Sequence, residues 1–279
     1  MIQDQPSRTA YGVALRRAAH QLWDSPRVFD DPIALKIISP DEVAELSAGP
    51  AEPPFARSVR AFVAMRSRYA EEQLAEVVAH GVQQYVVLGA GLDTFAYRNS
   101  FAGLRVFEVD HPATQAWKRE RLKSGEIFVP QSLAFVPVDF EKETLAHGLD
   151  HAGFRADQPA FFSWLGVAPY LSRETVLQTL RWLISGYSRN DVVFDYAVPR
   201  SFLNPANQMA FDELAKQVAA AGEPFITFFD PQELAGELRK MGFAHIEDIG
   251  FREINERYFS GRADGLRVAG GGRLVSARG

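Results

Sequence analysis

Apolar and polar positions follow two rhythms along this chain, and the rhythm changes near Gly81. Before it, Thr9–Trp23 and Phe55–Ala79 place apolar residues at mixed three- and four-residue spacing. Val59, Phe62, Val63, Leu74, Val77 and Val78 fall on one side of the second stretch. That spacing predicts two helices with an apolar face, separated where Gly49, Pro50, Pro53 and Pro54 interrupt the chain. After Gly81 come short apolar runs at Tyr85–Leu88, Leu104–Val109, Leu133–Val138, Phe161–Val167 and Val192–Tyr196. Strands buried on both faces of a parallel sheet leave such runs. Pro112–Lys123, stopped by Gly125, and Ser172–Ser185, stopped by Gly186, read as helices between them. A further helix is marked at both ends: Asp230 caps it, Pro231 takes the first position, Glu233 completes a capping box, and Gly242 follows Met241. His245–Phe251 and Arg273–Val275 are strand candidates in the tail.

Strands alternating with helices predict an α/β fold, a doubly wound Rossmann-like sheet covered on both faces. The expected division is a helical lid or substrate segment over residues 1–80 and a core over residues 81–279. No repeat and no low-complexity tract interrupts this organisation.

Composition narrows the partners more than the fold. The chain has 279 residues, 47% hydrophobic and 23% charged, with a formal net charge of -5. Those values suit a globular protein and give no electrostatic reason to expect nucleic acid. No window approaches the ~20 apolar residues of a membrane span, and the start MIQDQPSRTA lacks the basic and apolar regions of a secretory signal. With no cysteine there is neither a disulfide framework nor a thiol nucleophile. The expectation is a cytoplasmic protein.

The chemistry begins at Val86-Val87-Leu88-Gly89-Ala90-Gly91-Leu92-Asp93-Thr94, a strand running into a Gly-x-Gly turn. Glycine there lets the backbone turn tightly and approach a ligand with no Cβ between. Asp110, nineteen positions after Gly91, ends the run Val106-Phe107-Glu108-Val109-Asp110, where an acid accepts hydrogen bonds from ribose hydroxyls in nucleotide-binding folds. Two cofactor classes use this geometry. A dinucleotide calls for a third glycine, where Thr94 stands, and Asp93 would face its pyrophosphate. S-adenosylmethionine has no phosphate and carries a sulfonium and an ammonium, so it tolerates that acid. Val138-Asp139-Phe140 ends another strand beside the same crevice, with an acid for the adenine amino group and a ring to pack on the base. Tyr170, beyond the apolar run at Phe161–Val167, is the polar residue facing the transferred methyl group.

Ser7-Arg8-Thr9-Ala10, Val28-Phe29-Asp30-Asp31-Pro32-Ile33-Ala34, the glycine turn, Phe107-Glu108-Val109-Asp110-His111-Pro112 and Val138-Asp139-Phe140 together resemble the leucine carboxyl methyltransferase family. Within it they look like a bacterial branch that includes polyketide-type O-methyltransferases, and Gly261-Arg262-Ala263-Asp264-Gly265-Leu266 fits that branch too. The resemblance spans nearly the whole chain. It implies an S-adenosylmethionine cofactor touched by Gly89, Ala90 and Gly91, with Asp110 rather than Glu108 on the ribose and Asp139 with Phe140 at the adenine. It also implies an arginine before the first strand on the methionine carboxylate, Arg66 or else Arg68, with Arg60 on the same helix. Arg8 would be the basic residue that reaches the cofactor from the N-terminal segment. One position departs from the eukaryotic members: Leu165 stands where they place a glutamate at the cofactor's amino-acid end. That puts a protein C-terminus in doubt as substrate.

Methyl transfer from a sulfonium is a direct displacement that depends on alignment. A carboxylate acceptor needs no base, whereas a phenol needs one, typically a histidine. Of the six histidines only His111 lies near a strand end at the crevice. No metal-spaced pair is present in the sequence, so no metal is expected. The expected function is O-methylation, on a carboxyl or a hydroxyl, of a small organic acid or polyketide-like molecule. The alternatives are an NAD(P)-dependent oxidoreductase and a non-catalytic cofactor-binding protein on the same fold.

Overall fold

The apolar runs form strands lying side by side in a computed structural model that describes residues 7–50, 52–139, 144–185 and 190–279. The helical N-terminal part comprises α1 (Arg8–Trp23), α2 (Pro40–Ser47) and α3 (Pro54–Ala79). The sheet strands are β1 (Gln84–Leu88), β2 (Arg105–Asp110), β3 (Leu133–Pro137), β4 (Ala160–Trp164), β5 (Asn190–Ala197), β6 (His245–Ile249) and β7 (Gly272–Arg278). Between them run α4 (Pro112–Ser124), α5 (Leu145–His151), α6 (Arg173–Ile184), α7 (Pro205–Ala220), α8 (Pro231–Met241) and α9 (Phe251–Tyr258).

The strand order is β3-β2-β1-β4-β5-β7-β6. The pairings from β3 to β5 are parallel, and β7 runs antiparallel between β5 and β6. The chain winds outward from β1 to β3 and then returns to lay β4 on the other side of β1. At such a reversal the connections leave in opposite directions and open a crevice at the carboxyl ends of the strands. Leu88 lies opposite Val109, Val87 opposite Ser163, and Trp164 opposite Phe194, so the exits of β1, β2, β4 and β5 lie at one level.

Both faces are covered, and the central strands β1 and β4 are buried along their whole length. On one face Val86, Leu88, Phe107, Phe162 and Phe194 pack with Val176 and Leu180 of α6 and with Leu234 and Leu238 of α8. On the other, Met65, Tyr69, Leu74 and Val77 of α3 pack with Tyr85, Val87, Phe161 and Leu274. A smaller cluster joins Ala14 and Ala18 of α1 to Ile37, Leu92 and Leu122. No helix among the described residues is long and apolar enough to cross a membrane.

Three local expectations need correcting. The run Phe161–Val167 is a strand only to Trp164, because Gly166 turns the backbone at φ +74° and Ala168–Tyr170 forms a single 3-10 turn. The tail strand stops at Ile249 and Phe251 begins α9, while the last strand extends to Arg278. At α8, Asp230 accepts from the Gln232 and Glu233 N–H groups and Gly242 closes the helix at φ +108°. Glu233, however, faces Arg173 at 3.4 Å. α2, α5, α7 and α9 carry no expectation from periodicity.

Candidate functional site

The glycine turn after β1 is shaped by close approach. Gly89 (φ +65°) and Gly91 (φ +48°) occupy the left-handed region, which residues with a Cβ enter only at a cost. A Cβ on Gly89 would lie 2.4 Å from Val167 Cγ2, and one on Gly91 3.0 Å from the Ala10 Cβ. The turn is thus wedged between the exit of β4 and the start of α1. Ala90, between the glycines, is buried, and its N–H donates to the Val109 carbonyl at 3.0 Å.

Asp110 sits at the tip of β2 facing this turn. Its carboxylate accepts from the Gly91 N–H at 2.5 Å and from the His111 N–H at 2.7 Å. Burial pushes its pKa up, and the two backbone donors pull against that rise. His111 is committed elsewhere: its Nδ1 accepts from the Ala113 N–H at 3.2 Å and caps α4. Glu108, two residues earlier, is fully buried against Lys118 Nζ at 2.6 Å and Tyr97 at 3.2 Å. Asp139 is half-buried just past β3, and Phe140 lies outside the described residues.

Asp93 and Thr94 prove to be scaffold. Thr94 donates its hydroxyl to the buried Asp31 at 2.6 Å. Arg17 reaches Asp31 at 3.6 Å, Asp93 at 3.4 Å and the Leu92 carbonyl. Asp93 also accepts from the Phe95 N–H at 2.8 Å. These bonds tie α1 and the Asp30-Asp31-Pro32 loop to the glycine turn. Where a dinucleotide fold needs a third glycine, this chain uses Thr94 to anchor its N-terminal helix.

Across the crevice, at the exits of β4 and β5, a cavity of about 270 Å³ opens between α1, α3 and α7. Arg8, Arg66 and Tyr170 line it, together with Arg16, Asp195 and the rings of Phe62, Phe211 and Phe225. Arg66 Nη1 donates to Asp195 at 2.8 Å, and the other Asp195 oxygen accepts the Gly166 N–H. Gly166 must lack a side chain, since a Cβ there would lie 2.7 Å from Arg66 Nη2. The Tyr170 ring lies 5.2 Å from that of Phe225, tilted by 43°, and burial pushes its phenol up to about 12. Arg68 instead pairs on the surface with Glu72 at 2.7 Å, and Arg60 is buried against Asp24 at 2.9 Å. Of these three arginines only Arg66 lines the cavity.

The expected residues therefore form two groups. Gly89, Ala90, Gly91, Asp110 and Asp139 stand at the exits of β1 to β3, whereas Arg8, Arg66 and Tyr170 line the cavity. The groups meet where Val167, next to Gly166, closes over Gly89. Sequence reasoning missed Asp195 and Arg16. Leu165 packs against the apolar cluster beneath α3, so the carboxylate near this corner comes from the next strand. A lone acid in Val193-Phe194-Asp195-Tyr196 was the available sign.

The leucine carboxyl methyltransferase family model matches residues 10–184. The chain is 34% identical, over 95% of its length, to the candidate S-adenosyl-L-methionine-dependent methyltransferase YktD of Bacillus subtilis, 95% of which is covered. A similar candidate from Saccharopolyspora erythraea is 29% identical over 97% of this chain and 94% of its own. A solved structure of a candidate methyltransferase from Thermobifida fusca shares the fold, with a TM-score of 0.56 over 99% of this chain and 96% of its own, at 14% identity. The protein is a class I S-adenosylmethionine-dependent methyltransferase, with S-adenosylmethionine as its cofactor. It belongs to the leucine carboxyl methyltransferase family. The oxidoreductase and the non-catalytic alternatives fall away.

Proposed function

We propose that this enzyme methylates an oxygen of a small organic acid or polyketide-like molecule. The observation carrying that reading is the largely apolar cavity at the exits of β4 and β5, too small for a folded protein chain and adjoining the glycine turn. The cradle left by the missing Cβ atoms of Gly89 and Gly91, with the Asp110 carboxylate facing it, fits the nucleoside of the cofactor. In this reading Asp110 accepts from the ribose, Asp139 and Phe140 meet the adenine, and Arg66, with Arg8 at the rim, takes the methionine carboxylate. Bound there, S-adenosylmethionine supplies an electrophilic methyl group on a sulfonium.

The protein's part is alignment and exclusion of water. The N-terminal segment, through α1 and α3, acts as the lid over the acceptor. Tyr170 stays a neutral phenol at physiological pH, so it orients the acceptor as a hydrogen-bond donor and takes no proton. A carboxylate acceptor is already ionised and suits a cavity where Asp195 is held by Arg66.

The test is to incubate the full chain with S-adenosylmethionine and matched panels of aromatic and aliphatic acids, phenols and amines, following S-adenosylhomocysteine and methylated product by mass spectrometry. Methyl esters or ethers are expected. Methylation confined to nitrogen would overturn the reading.

A further inference from the structure

α1 begins with Arg8 and has no acid in its first turn, so nothing local offsets the partial positive charge of its free N–H groups. The missing carboxylate comes from a distant part of the chain. Glu223, in the loop after α7, accepts from the Thr9 N–H and the Ser7 hydroxyl, each at 3.2 Å, and from the Thr9 hydroxyl. In sequence, 216 positions separate Ser7 from Glu223. Ser7 also caps the helix, its hydroxyl accepting from the Ala10 N–H at 3.1 Å.

That first turn touches both ends of the crevice. Ala10 lies against the glycine turn, where a Cβ on Gly91 would stand 3.0 Å from the Ala10 Cβ. The Ser7 N–H reaches the Thr114 hydroxyl of α4 at 3.4 Å. Thr9 faces the other way and lines the cavity. Thr9 and Glu223 both bear on the Tyr170 phenol, the first by a hydrogen bond and the second by its charge. Beyond Glu223, α7 turns Ala210, Phe211 and Leu214 to the cavity, and Val218 is its one buried residue. A helix that spans a cavity has little burial of its own to hold it closed. Its C-terminal end is pinned by other means: the Ile226 and Thr227 N–H groups donate to the Pro169 carbonyl at 2.8 and 3.2 Å, and Glu223 fastens it to α1.

We propose that Glu223 is a positioning residue that couples the cofactor end of the crevice to the acceptor cavity, holding α7 closed over the cavity when the first turn of α1 is seated on the glycine turn. The inference rests on the reading of this cavity as the acceptor site and adds how its closure depends on the cofactor. A ligand that fills the cradle of Gly89 and Gly91 steadies Ala10 above it. Thr9, the next residue back, then presents its N–H and hydroxyl to Glu223, and the C-terminal end of α7 is held with it. Without that bond α1 and α7 meet the cavity as separate walls, and steadying one does nothing for the other.

The experiment is hydrogen exchange of the full chain, read by mass spectrometry, with and without saturating S-adenosylhomocysteine. In the wild type the ligand is expected to slow exchange at the glycine turn and, by about tenfold, at the amides of α7. Glu223→Ala should keep the first effect and lose the second. Because coupling is reciprocal, its affinity for S-adenosylhomocysteine in calorimetry should fall by the same factor. Glu223→Gln, whose amide oxygen can accept from the same donors, should restore most of both. Thr9→Val removes one donor and keeps the shape, so it should lose part of both, and it tests the link if Glu223→Ala fails to fold. Exchange in α7 that ignores the ligand in the wild type overturns the proposal, as does protection of α7 that survives Glu223→Ala. Failure of the broader reading is distinct: the coupling would appear as stated while no methylated oxygen is formed.

Discussion

At the exits of β1 and β2 the crevice is built from backbone: two left-handed glycines, an Ala90 N–H bonded to Val109, and Asp110 receiving two main-chain donors. At the exits of β4 and β5 it is built from side chains contributed by α1, α3, β5 and α7, held by the Arg66–Asp195 pair. Backbone geometry restricts residue type locally, so the first end tolerates little change and suits the constant part of a reaction, the cofactor. Side chains from separate segments can be exchanged one at a time, so the second end suits the variable part, the acceptor. The contrast predicts that the carboxylates of the two ends fail in different ways, Asp110 through binding and Asp195 through the fold.

The largest effect is expected at the side-chain end. Asp195→Asn leaves Arg66 buried without its counter-charge and should cost about 3–5 kcal/mol, the range for breaking one partner of a buried pair. Urea unfolding reads it directly. If stability is unchanged while cofactor affinity collapses, the pair belongs to the ligand more than to the fold.

Asp110→Asn is the converse. It should weaken S-adenosylhomocysteine binding about a hundredfold, about 2.7 kcal/mol, while hardly moving the unfolding midpoint. The pH dependence follows from the same group. Burial raises the Asp110 carboxyl above its ordinary value of 3.8, so on acidification it takes up its proton before a solvated aspartate would. Affinity is full while it is ionised and declines as pH falls through that raised value. Calorimetry across the acid range should show the decline in the wild type and none of it in Asp110→Asn.

The difference between the two ends also decides what could be read from residues alone. Gly89 and Gly91 were legible because a left-handed, Cβ-free turn admits few alternatives, and Asp110 because its distance from that turn is fixed by one strand–turn–strand unit. The doubly wound sheet was legible because strands covered on both faces become continuously apolar. Arg66 joins Asp195 across 129 positions, and no periodicity connects residues so far apart. Arg16 had no mark beyond its place beside Arg17 in one helix. The end of β4 was overextended because Leu165 and Val167 are as apolar as the strand itself, and only the backbone of Gly166 reveals the turn. α7 was missed because Val218 is its one buried residue, which leaves a weak apolar stripe.

Gly89→Ala measures how rigid the backbone end is. The new Cβ meets Val167 Cγ2 at 2.4 Å, and φ is +65°, so strain of about 1–3 kcal/mol is expected. Adding Val167→Ala should recover the part due to the clash and leave the part due to the dihedral angle. Thermal unfolding of the single and double variants separates the two. Full recovery in the double variant would mean that the left-handed conformation is not needed, and the two ends would then differ less than their construction implies.

The smallest effect is reserved for Tyr170. A phenol pushed up to about 12 is neutral wherever the enzyme works, so its hydroxyl can orient an acceptor but cannot deprotonate one. Tyr170→Phe should lower kcat by about tenfold or less, the scale of one neutral hydrogen bond, with the ring still packed against Phe225. The shape of the pH–rate profile across the neutral range should not change. A much larger loss, with a basic limb removed from the profile, would make Tyr170 the proton acceptor. The substrate would then be a hydroxyl whose proton must leave before the oxygen can attack, and the carboxylate reading of the cavity would give way to it.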